Sequence, residues 1–312
     1  MKILISESEG FPVESIKRLS QLGDVYIEGN QFEATEIDTL FIRLNKIIDK
    51  KTHHKFPKLK YIISPTTGTN HIDLSYFEKH QISVITLKNR SEFLRTIHAT
   101  SEHTIALVLA LLRNIPSATK STLSGYWNRY PFKGNELNSS NILIYGYGRV
   151  GKQVAKLYSS FGCVVKAYDS EIDKVPKKYQ CDIKSYLPQV DILSIHMDLN
   201  QYNHGIVDNK IMRLMKKNSK IINTSRGELI NQDELFDNII KGQISGAALD
   251  VLCKEPDPFS PKILNKIKMC GDRLILTPHI SGFTFESLKK VENYVTEIFI
   301  KHTQDERKKN KR

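Results

Sequence analysis

Short runs of β-branched and other apolar residues alternate with longer amphipathic stretches along almost the whole chain. This alternation is typical of βα units that build parallel sheets. The first series of candidate strands comprises residues 3–6, 25–27, 40–44, 61–64 and 83–85. The second series comprises residues 141–145, 164–168, 191–196, 220–223, 246–249 and 274–277. Six strands with intervening helices match the size of a full dinucleotide-binding sheet.

The helical pattern suggests where the two series separate. Residues 102–113 predict one helix that is apolar nearly all round from Ile105 to Leu112, which favours burial between domains or subunits. A last helix is predicted at about residues 286–302. We therefore predict an α/β protein with two Rossmann-like, doubly wound parallel-sheet domains. One domain, residues 113–290, is inserted into the other, which consists of residues 1–112 and 291–312.

Composition narrows the class of protein. Hydrophobic residues make up 40% and charged residues 26% of the chain, as in an ordinary globular protein. The longest strongly apolar stretch, residues 105–112, is too short to cross a membrane, which takes about 20 residues, so no membrane association is expected. The four cysteines form no C-x-x-C pair, so neither a disulfide framework nor a metal site is predicted. A reducing, cytoplasmic location fits best.

The net charge of +12 raises the question of an anionic partner. Residues 301–312 contain six Lys or Arg against Asp305 and Glu306, so this tail supplies +4. A basic tail can contact nucleic acid, but no nucleic-acid motif accompanies it. We interpret it as a solvated terminus and expect no nucleic-acid partner.

A glycine-rich turn follows the first strand of the second series. Gly146, Gly148 and Gly151 form a G-x-G-x-x-G pattern between the apolar run 142–145 and a predicted helix. In such a motif the glycines permit a tight turn, a close approach to a pyrophosphate and close helix–strand packing. Asp169 ends the next strand at the spacing expected for a carboxylate that binds the adenosine ribose. Because a carboxylate repels a 2′-phosphate, the sequence predicts NAD rather than NADP.

Three later strands each end in polar residues. Asn223-Thr224-Ser225-Arg226 follows one strand, Asp250 and then Glu255-Pro256 follow the next, and Thr277-Pro278-His279 follows the third. Ligands of open α/β sheets lie beyond the carboxyl ends of the strands. We therefore expect these side chains to lie near the glycine turn.

These segments resemble, in order along the chain, the D-isomer-specific 2-hydroxyacid dehydrogenases, the family of phosphoglycerate, glycerate and D-lactate dehydrogenases. The resemblance extends to residues 67–73 and 101–104 and to Trp127. It implies that residues 113–290 hold NAD and that the remaining domain binds the substrate. It also implies a homodimer.

The resemblance implies three catalytic residues. Arg226 matches the arginine that holds the substrate carboxylate, for which a planar guanidinium is suited. His279 matches the general acid and base, because histidine titrates near working pH. Glu255 matches the acid that orients the histidine ring and favours the imidazolium.

Further contacts follow from the same resemblance. The loop Thr67-Gly68-Thr69 matches a substrate loop whose backbone N–H groups bind the carboxylate, and Arg43 lies where some members place a substrate contact. Arg226 and His279 also belong to the implied substrate site. The implied cofactor contacts, besides the three glycines and Asp169, are Arg149, Val150, His196, Thr224, Asp250 and Gly282.

Two segments depart from the family pattern. Asp198 occupies a position, two residues after His196, where members often have proline. The stretch 89–100, with Arg90 and Arg95, is longer and more basic than expected. It is either a specificity loop for a phosphorylated or dicarboxylic substrate or a variable surface loop.

We therefore predict an NAD-dependent oxidoreductase that transfers a hydride between NAD(H) and a D-2-hydroxy or 2-keto acid, with phosphorylated acids among the candidate substrates. One alternative is a formate-type dehydrogenase, against which Glu255 argues, because that group carries an amide in its place. The other alternative is an NAD-sensing co-repressor-like protein that retains the catalytic residues.

Overall fold

The computed structural model describes residues 1–309, and these divide into two α/β units. The first unit is Met1–Ile97 together with the chain from Phe283 onward, and the second is His98–Gly282. Each unit contains one parallel sheet, which confirms the predicted class of two doubly wound domains, one interrupting the other in sequence. Within the described part of the chain, no helix is both long enough and apolar enough to cross a membrane.

The helices and strands follow each other in this order: β1 (Lys2–Ile5), α1 (Val13–Ser20), β2 (Asp24–Ile27), β3 (Thr39–Phe41), α2 (Lys50–Lys55), β4 (Tyr61–Ile63), α3 (Leu74–Lys79), β5 (Ser83–Ile85), α4 (Ser91–Leu94), α5 (Ala99–Leu112), α6 (Ile115–Leu123), β6 (Asn141–Tyr145), α7 (Arg149–Ser160), β7 (Val164–Tyr168), α8 (Ile183–Tyr186), β8 (Ile192–Ile195), α9 (Asn209–Leu214), β9 (Lys220–Asn223), α10 (Gln232–Ile240), β10 (Gly246–Leu249), α11 (Pro261–Cys270), β11 (Leu274–Leu276) and α12 (Phe285–Lys309). Strands of the two sheets thus lie within a residue or two of the predicted runs, except that the third strand ends at Phe41 rather than residue 44.

The first unit is built on a five-stranded sheet in the order β2-β1-β3-β4-β5. All of its paired strands are parallel. Because successive side chains of a strand point to opposite faces, Ile3 and Ile5 join one core with Phe299 of α12, while Leu4 joins another with Phe77 of α3. Both faces are therefore covered, as a parallel sheet requires.

The second unit is built on a six-stranded parallel sheet in the order β7-β6-β8-β9-β10-β11. One face packs on α9, α10 and α11, and the other packs on α5 and α7. The chain moves outward from β6 to β7 and then returns to place β8 on the other side of β6. In an open α/β sheet this reversal opens a crevice at the carboxyl ends of the two central strands, where ligands bind.

Helix α5 packs differently from the sequence prediction. It runs from Ala99 to Leu112 rather than over residues 102–113. Its apolar side chains, among them Val108 and Leu111, join the core that α7 and the second sheet form. The helix therefore belongs to the second unit, whereas we predict from the sequence that residues 99–112 belong to the substrate domain. Its nearly continuous apolar surface reflects contacts with both a helix and a sheet.

The C-terminal segment is also more regular than expected. Helix α12 continues to Lys309, whereas the sequence predicted an end at about residue 302 and a frayed tail. Thr303 is buried, which ties this turn to the first unit. The last three residues of the predicted tail lie outside the described residues. The second boundary between the units falls between Gly282 and Phe283, whereas the sequence predicted it between residues 290 and 291.

Candidate active site

The glycine turn lies at the crevice of the second sheet. Gly146 has φ of +100°, and a Cβ there would lie 2.6 Å from the His196 carbonyl oxygen. A Cβ on Gly151 would lie 2.0 Å from the Gly146 carbonyl oxygen, so side chains at both positions are excluded by backbone. A Cβ on Gly148 would meet no atom within 4 Å. The first and third glycines are thus required by the fold, while the second leaves open space before the N-terminus of α7.

Asp169 is held against this turn. It follows β7, and its Oδ2 accepts a 2.8 Å hydrogen bond from the backbone N–H of Tyr147. Its Oδ1 accepts a 3.0 Å hydrogen bond from the backbone N–H of Glu171. A carboxylate has about four acceptor positions, so both oxygens retain the capacity to bind ribose hydroxyl groups. Arg149 and Val150, the other predicted contacts at the turn, are the first residues of α7.

His196 brings a buried ring to the same edge. Its Nε2 lies 2.8 Å from the Ser194 hydroxyl, which Tyr158 contacts in turn. Its Nδ1 is buried and finds no hydrogen-bond partner within residues 1–309. Burial lowers the pKa of His196 to about 3, so the ring is neutral at physiological pH. A buried polar atom without a partner is rare and fits a position that a bound cofactor completes.

Thr224 and Gly282, two further predicted cofactor contacts, are placed differently. Thr224 is buried, and its hydroxyl lies 2.9 Å from that of Thr104 on α5. Gly282 is exposed and ends the second unit. The turn, the N-terminus of α7, Asp169 and His196 fit a dinucleotide on observations of this structure. For Thr224 and Gly282 the structure shows only that they lie at the carboxyl edge of the sheet, and their contact with the cofactor stays a prediction.

Arg226 follows β9 and lies in a loop that hydrogen bonds of the Asn223 side chain hold in place. The Asn223 side chain donates to the Arg226 carbonyl oxygen at 2.8 Å and accepts from the Ser225 N–H at 2.9 Å. The guanidinium donates to the Ser225 carbonyl oxygen at 2.6 Å. Burial lowers the pKa of Arg226, and the charges of Asp198, Glu255 and Glu228 oppose that shift. Arg226 remains charged, as arginine does in proteins, in a half-buried setting that strengthens its attraction for an anion.

His279 and Glu255 form a close pair. The Nδ1 of His279 lies 2.5 Å from Oε2 of Glu255. Because an ionised carboxylate only accepts hydrogen bonds, Nδ1 carries the hydrogen and Nε2 is left for other partners. The other Glu255 oxygen accepts from the Leu252 N–H at 2.9 Å, which fixes the acid in its loop. His279 has φ of +55°, so this ring is displayed from a strained backbone.

Asp250 holds the backbone on either side of His279. It is completely buried, and its carboxylate accepts hydrogen bonds from the N–H groups of Ile280 (2.9 Å) and Ser281 (2.8 Å). The Thr277 hydroxyl donates to it at 2.5 Å, and the Asp250 carbonyl oxygen accepts the His279 N–H at 2.8 Å. Burial acts to raise the pKa of Asp250, but these hydrogen bonds and one from His103 outweigh it and lower the pKa.

The sequence predicts that Asp250 contacts the cofactor, and that contact stays a prediction. The structure adds a second role, because the carboxylate accepts hydrogen bonds from the loop that carries His279. His103 and Thr277 were not predicted as site residues. His103 Nε2 lies 3.1 Å from the Thr277 hydroxyl and 3.4 Å from the Asp250 carboxylate. The Glu102-His103 pair in the first turn of α5 was a feature of the sequence that could have suggested it.

The predicted substrate loop belongs to the first unit and follows β4. The Thr66 hydroxyl donates to the Gly68 carbonyl oxygen at 2.9 Å and folds the loop back. Within the described chain, the N–H groups of Thr67, Gly68 and Thr69 donate no hydrogen bond. Three such donors suit a carboxylate, so substrate binding by this loop stays a prediction with a structural basis.

Arg43 is neither exposed nor solvated. It is buried in the first unit, where its guanidinium forms a 2.6 Å ion pair with Glu292 of α12 and donates to the Glu9 carbonyl oxygen at 2.8 Å. Glu292 is fully buried. Burial raises the pKa of Glu292 to about 7, while Arg43 acts in the opposite direction. A substrate anion would therefore have to compete with Glu292 for Arg43.

The stretch 89–100 is divided rather than one loop. Its first part contains α4, and its last residues begin α5. The boundary between the two units falls between Ile97 and His98. Because the stretch contains α4 and the start of α5, it is not a single variable surface loop.

Comparison with known proteins identifies the family. Residues 105–281 match the model of the D-isomer specific 2-hydroxyacid dehydrogenase NAD binding domain. A glyoxylate reductase of Thermofilum pendens is 33% identical over 263 residues, covering 81% of this chain and 75% of the relative. The chain belongs to the D-isomer specific 2-hydroxyacid dehydrogenase family, and its second unit is an NAD-binding domain.

Other relatives differ in length. A D-3-phosphoglycerate dehydrogenase of Methanocaldococcus jannaschii is 30% identical over 308 residues, which cover 95% of this chain and 56% of that protein. The chain thus spans about half the length of the phosphoglycerate dehydrogenases that it matches. A solved D-lactate dehydrogenase of Aquifex aeolicus, with NAD and lactic acid, aligns at a TM-score of 0.78 and 23% identity, covering 97% of this chain and 96% of that chain. This last similarity shows the fold alone.

The position of Asp169 leads to a prediction on cofactor choice. We expect Asp169→Ala to weaken NADH binding by at least about tenfold, since each hydrogen bond to the charged group that is lost is worth roughly 1.5–3 kcal/mol and about 1.4 kcal/mol corresponds to tenfold. NADPH should bind the variant more tightly than it binds the wild type, because a carboxylate no longer repels its 2′-phosphate. Fluorescence titration with both cofactors measures the ratio of the NADH and NADPH dissociation constants. An unchanged preference would refute the assignment, and Asp173→Asn provides a control at an exposed carboxylate nearby.

Proposed function

We propose that the chain is an NAD-dependent D-2-hydroxyacid dehydrogenase that interconverts a 2-keto acid and its D-2-hydroxy acid. The observation that carries the proposal is the 2.5 Å His279–Glu255 pair at the carboxyl edge of the NAD-binding sheet, which also carries Arg226. NAD(H) held by the glycine turn and Asp169 would supply or take up the hydride at the carbon that bears the oxygen. The residues of the chain have to hold the acid and supply or take one proton.

Arg226 is proposed to bind the substrate carboxylate. Its planar guanidinium offers two parallel N–H donors to the two oxygens of a carboxylate. The half-buried position reduces the competition from water, so the ion pair gains strength. This contact fixes the acid end of the substrate and thereby orients the adjacent carbonyl group.

His279 is proposed as the general acid in reduction and the general base in oxidation. In reduction, Nε2 gives its proton to the carbonyl oxygen, which becomes the hydroxyl oxygen. In oxidation, Nε2 takes that proton back. Glu255 holds Nδ1, which leaves Nε2 for this proton transfer. The pairing of an acid with a histidine is a recurrent solution for proton transfer.

Two alternatives make different demands on the same residues. A formate-type dehydrogenase would carry an amide where Glu255 stands, and the direct contact of Glu255 with His279 argues against it. A co-repressor-like NAD-binding protein would retain the cofactor site but show no turnover. Measured activity separates these possibilities.

Steady-state reduction of glyoxylate, hydroxypyruvate and 2-oxoglutarate with NADH tests the proposal. We expect turnover of at least one substrate, and we expect His279→Ala to lower kcat by about 10²–10⁴-fold, the usual contribution of a general acid. NADH binding should stay within about twofold of the wild type, because His279 lies outside the glycine turn. Glu255→Gln keeps the size of the side chain, and this variant should also have a lower kcat than the wild type.

Two results would count against the proposed dehydrogenase function. No turnover of a broad keto-acid panel, together with tight NADH binding, would overturn the enzyme and favour a binding protein. Full activity of His279→Ala would remove this residue from the mechanism.

We further propose a homodimer. Five large apolar or aromatic side chains between residues 115 and 130 of the second unit are exposed, and Trp127 is 93% exposed; the five are Ile115, Leu123, Tyr126, Trp127 and Tyr130. Aromatic residues are enriched in the cores of interfaces, and contiguous apolar surface marks interaction sites. A second copy of the chain would cover them. Sedimentation velocity should give the mass of two chains, and Leu123→Asp should shift it toward one; a monomeric wild type would contradict the proposal.

We also propose a reducing, cytoplasmic location. The cysteines Cys163, Cys181, Cys253 and Cys270 are all free. Burial raises the pKa of Cys163 and of Cys253 to about 11, which leaves their thiols protonated and poorly reactive.

A further inference from the structure

The five-stranded sheet of the first unit contains a topological reversal of its own. Its strand order is β2-β1-β3-β4-β5, so the chain moves outward from β1 to β2 and then returns to place β3 on the other side of β1. The loops that follow β1 and β3 diverge at such a point. Ligands of open α/β sheets bind in the crevice that this leaves beyond the carboxyl ends of the strands.

A cavity of about 420 Å³ opens at this reversal. Its walls come from the carboxyl halves of β1 and β3, from the segments that follow the first three strands, and from α2. Its floor is apolar, with Leu4 of β1, Leu40 of β3 and the rings of Phe32 and Phe56. Sites for small molecules commonly have volumes of about 300–1,000 Å³ and mostly apolar walls, so the cavity has the size and lining of such a site.

The cavity and Arg43 lie on opposite faces of this sheet. Successive side chains of a strand point to opposite faces. Leu4 and Leu40 point toward the core that α3 covers, whereas Phe41 points toward the core that α12 covers. Arg43 forms its ion pair with Glu292 of α12. The cavity is therefore separate from the side chain that the family resemblance assigns to the substrate.

The two carboxylates that line the cavity are already engaged. Glu28 forms an ion pair with Lys46 and accepts a 3.0 Å hydrogen bond from the Ser6 hydroxyl. Asp49 is the N-cap of α2, and it accepts hydrogen bonds of 2.9 and 3.3 Å from two backbone N–H groups in the first turn. Neither carboxylate is thus available to neutralise a further cation at the rim.

Two lysines of α2 carry such charges. Lys51 and Lys55 both line the cavity, both are exposed, and they lie one turn apart on the same helix face. Within residues 1–309, neither forms an ion pair. The Lys55 ammonium lies 5.4 Å from the centroid of the Phe56 ring. Because like charges at this spacing repel each other, an anion between them would be stabilised beside the apolar floor.

We propose that this cavity is a binding site for a small amphipathic carboxylate, an organic acid with an apolar body about the size of a naphthalene ring. The apolar body packs on Leu4 and Leu40, and the carboxylate meets Lys51 and Lys55. The site holds a ligand other than NAD(H) and other than the substrate of the proposed dehydrogenase. It also gives a role to part of a basic stretch, since residues 46–60 contain six lysines and one acidic residue.

Binding of 1-naphthoate to the full chain tests the proposal. Isothermal titration calorimetry is performed with NADH at saturation, so that the cofactor site is occupied. We expect one binding site per chain. The neutral 1-naphthalenemethanol, which has the same rings, should bind about tenfold more weakly because it forms no ion pair with the two lysines. Acetate, which has the charge without the rings, should show no binding in the same concentration range.

Variants at exposed positions locate the ligand. The double variant Lys51→Gln and Lys55→Gln should raise the dissociation constant of 1-naphthoate about tenfold, since each exposed ion pair contributes up to about fivefold. Ile47 lines the cavity and is 59% exposed, so Ile47→Asp places a repelling carboxylate there and should weaken binding by at least about tenfold. Lys50→Gln removes an exposed lysine of the same helix that does not line the cavity, and it should leave the affinity unchanged.

A variant of the second unit distinguishes this cavity from the proposed substrate site. Arg226→Gln should bind 1-naphthoate as tightly as the wild type does. Weaker binding by Arg226→Gln, together with full affinity of the Lys51 and Lys55 double variant, would place the acid at the catalytic edge and overturn the proposal. No binding by the wild type, or equal affinity for the acid and the alcohol, would also overturn it. The melting temperature of each variant shows that it is folded.

Discussion

The buried carboxylate of Asp250 is the interaction on which the proposed site depends. Its hydrogen bonds to Thr277, Ile280 and Ser281 hold the short loop that carries His279 in a left-handed backbone conformation. A residue in that conformation costs free energy unless its surroundings fix it. Asp250 directly follows β10, which pairs with β11, and its carboxylate supplies that constraint. His103 of α5 adds a contact from the other side.

The topology of the second sheet places the other functional groups along the same edge as this loop. All six strands are parallel, so the residues that follow them lie along one edge. The glycine turn follows β6, His196 follows β8, Arg226 follows β9, and the histidine loop follows β11. The sheet itself is held by cores on its two faces. A rigid scaffold with functional loops at one edge is how α/β folds accommodate many chemistries.

Local patterns predicted much of the fold. The bounds of β6, β7, β9 and β10 agree with the runs read from the sequence, because short apolar runs flanked by polar residues are a local property. The glycine turn was equally predictable, since its spacing between a strand and a helix is a local pattern, although the backbone that excludes a side chain at Gly146 is that of His196 after β8. The family resemblance added the pairing of His279 with Glu255, which the structure shows as a direct contact.

Long-range pairings could not be read from such patterns. Arg43 and Glu292 are 249 residues apart in sequence, and His103 and Thr277 are 174 residues apart. An arginine that follows a strand looks solvated until its partner is known. Similarly, the apolar surface of α5 predicted burial but not its partners, which proved to be α7 and the second sheet. The sequence shows that Asp250 is an acid after a strand, but the donors of its hydrogen bonds belong to the loop that follows β11.

The activity of Asp250→Asn tests the central claim most directly. If the carboxylate acts by positioning His279, turnover of a 2-keto acid should fall about 10²-fold, as displacement of a reacting group by roughly 1 Å can cause. NADH affinity should change by less than about threefold, because the side chain is buried among loop hydrogen bonds. The comparison is made on protein shown to be folded by its melting temperature. Unchanged turnover, or a loss of NADH affinity with turnover preserved at saturating cofactor, would contradict the account.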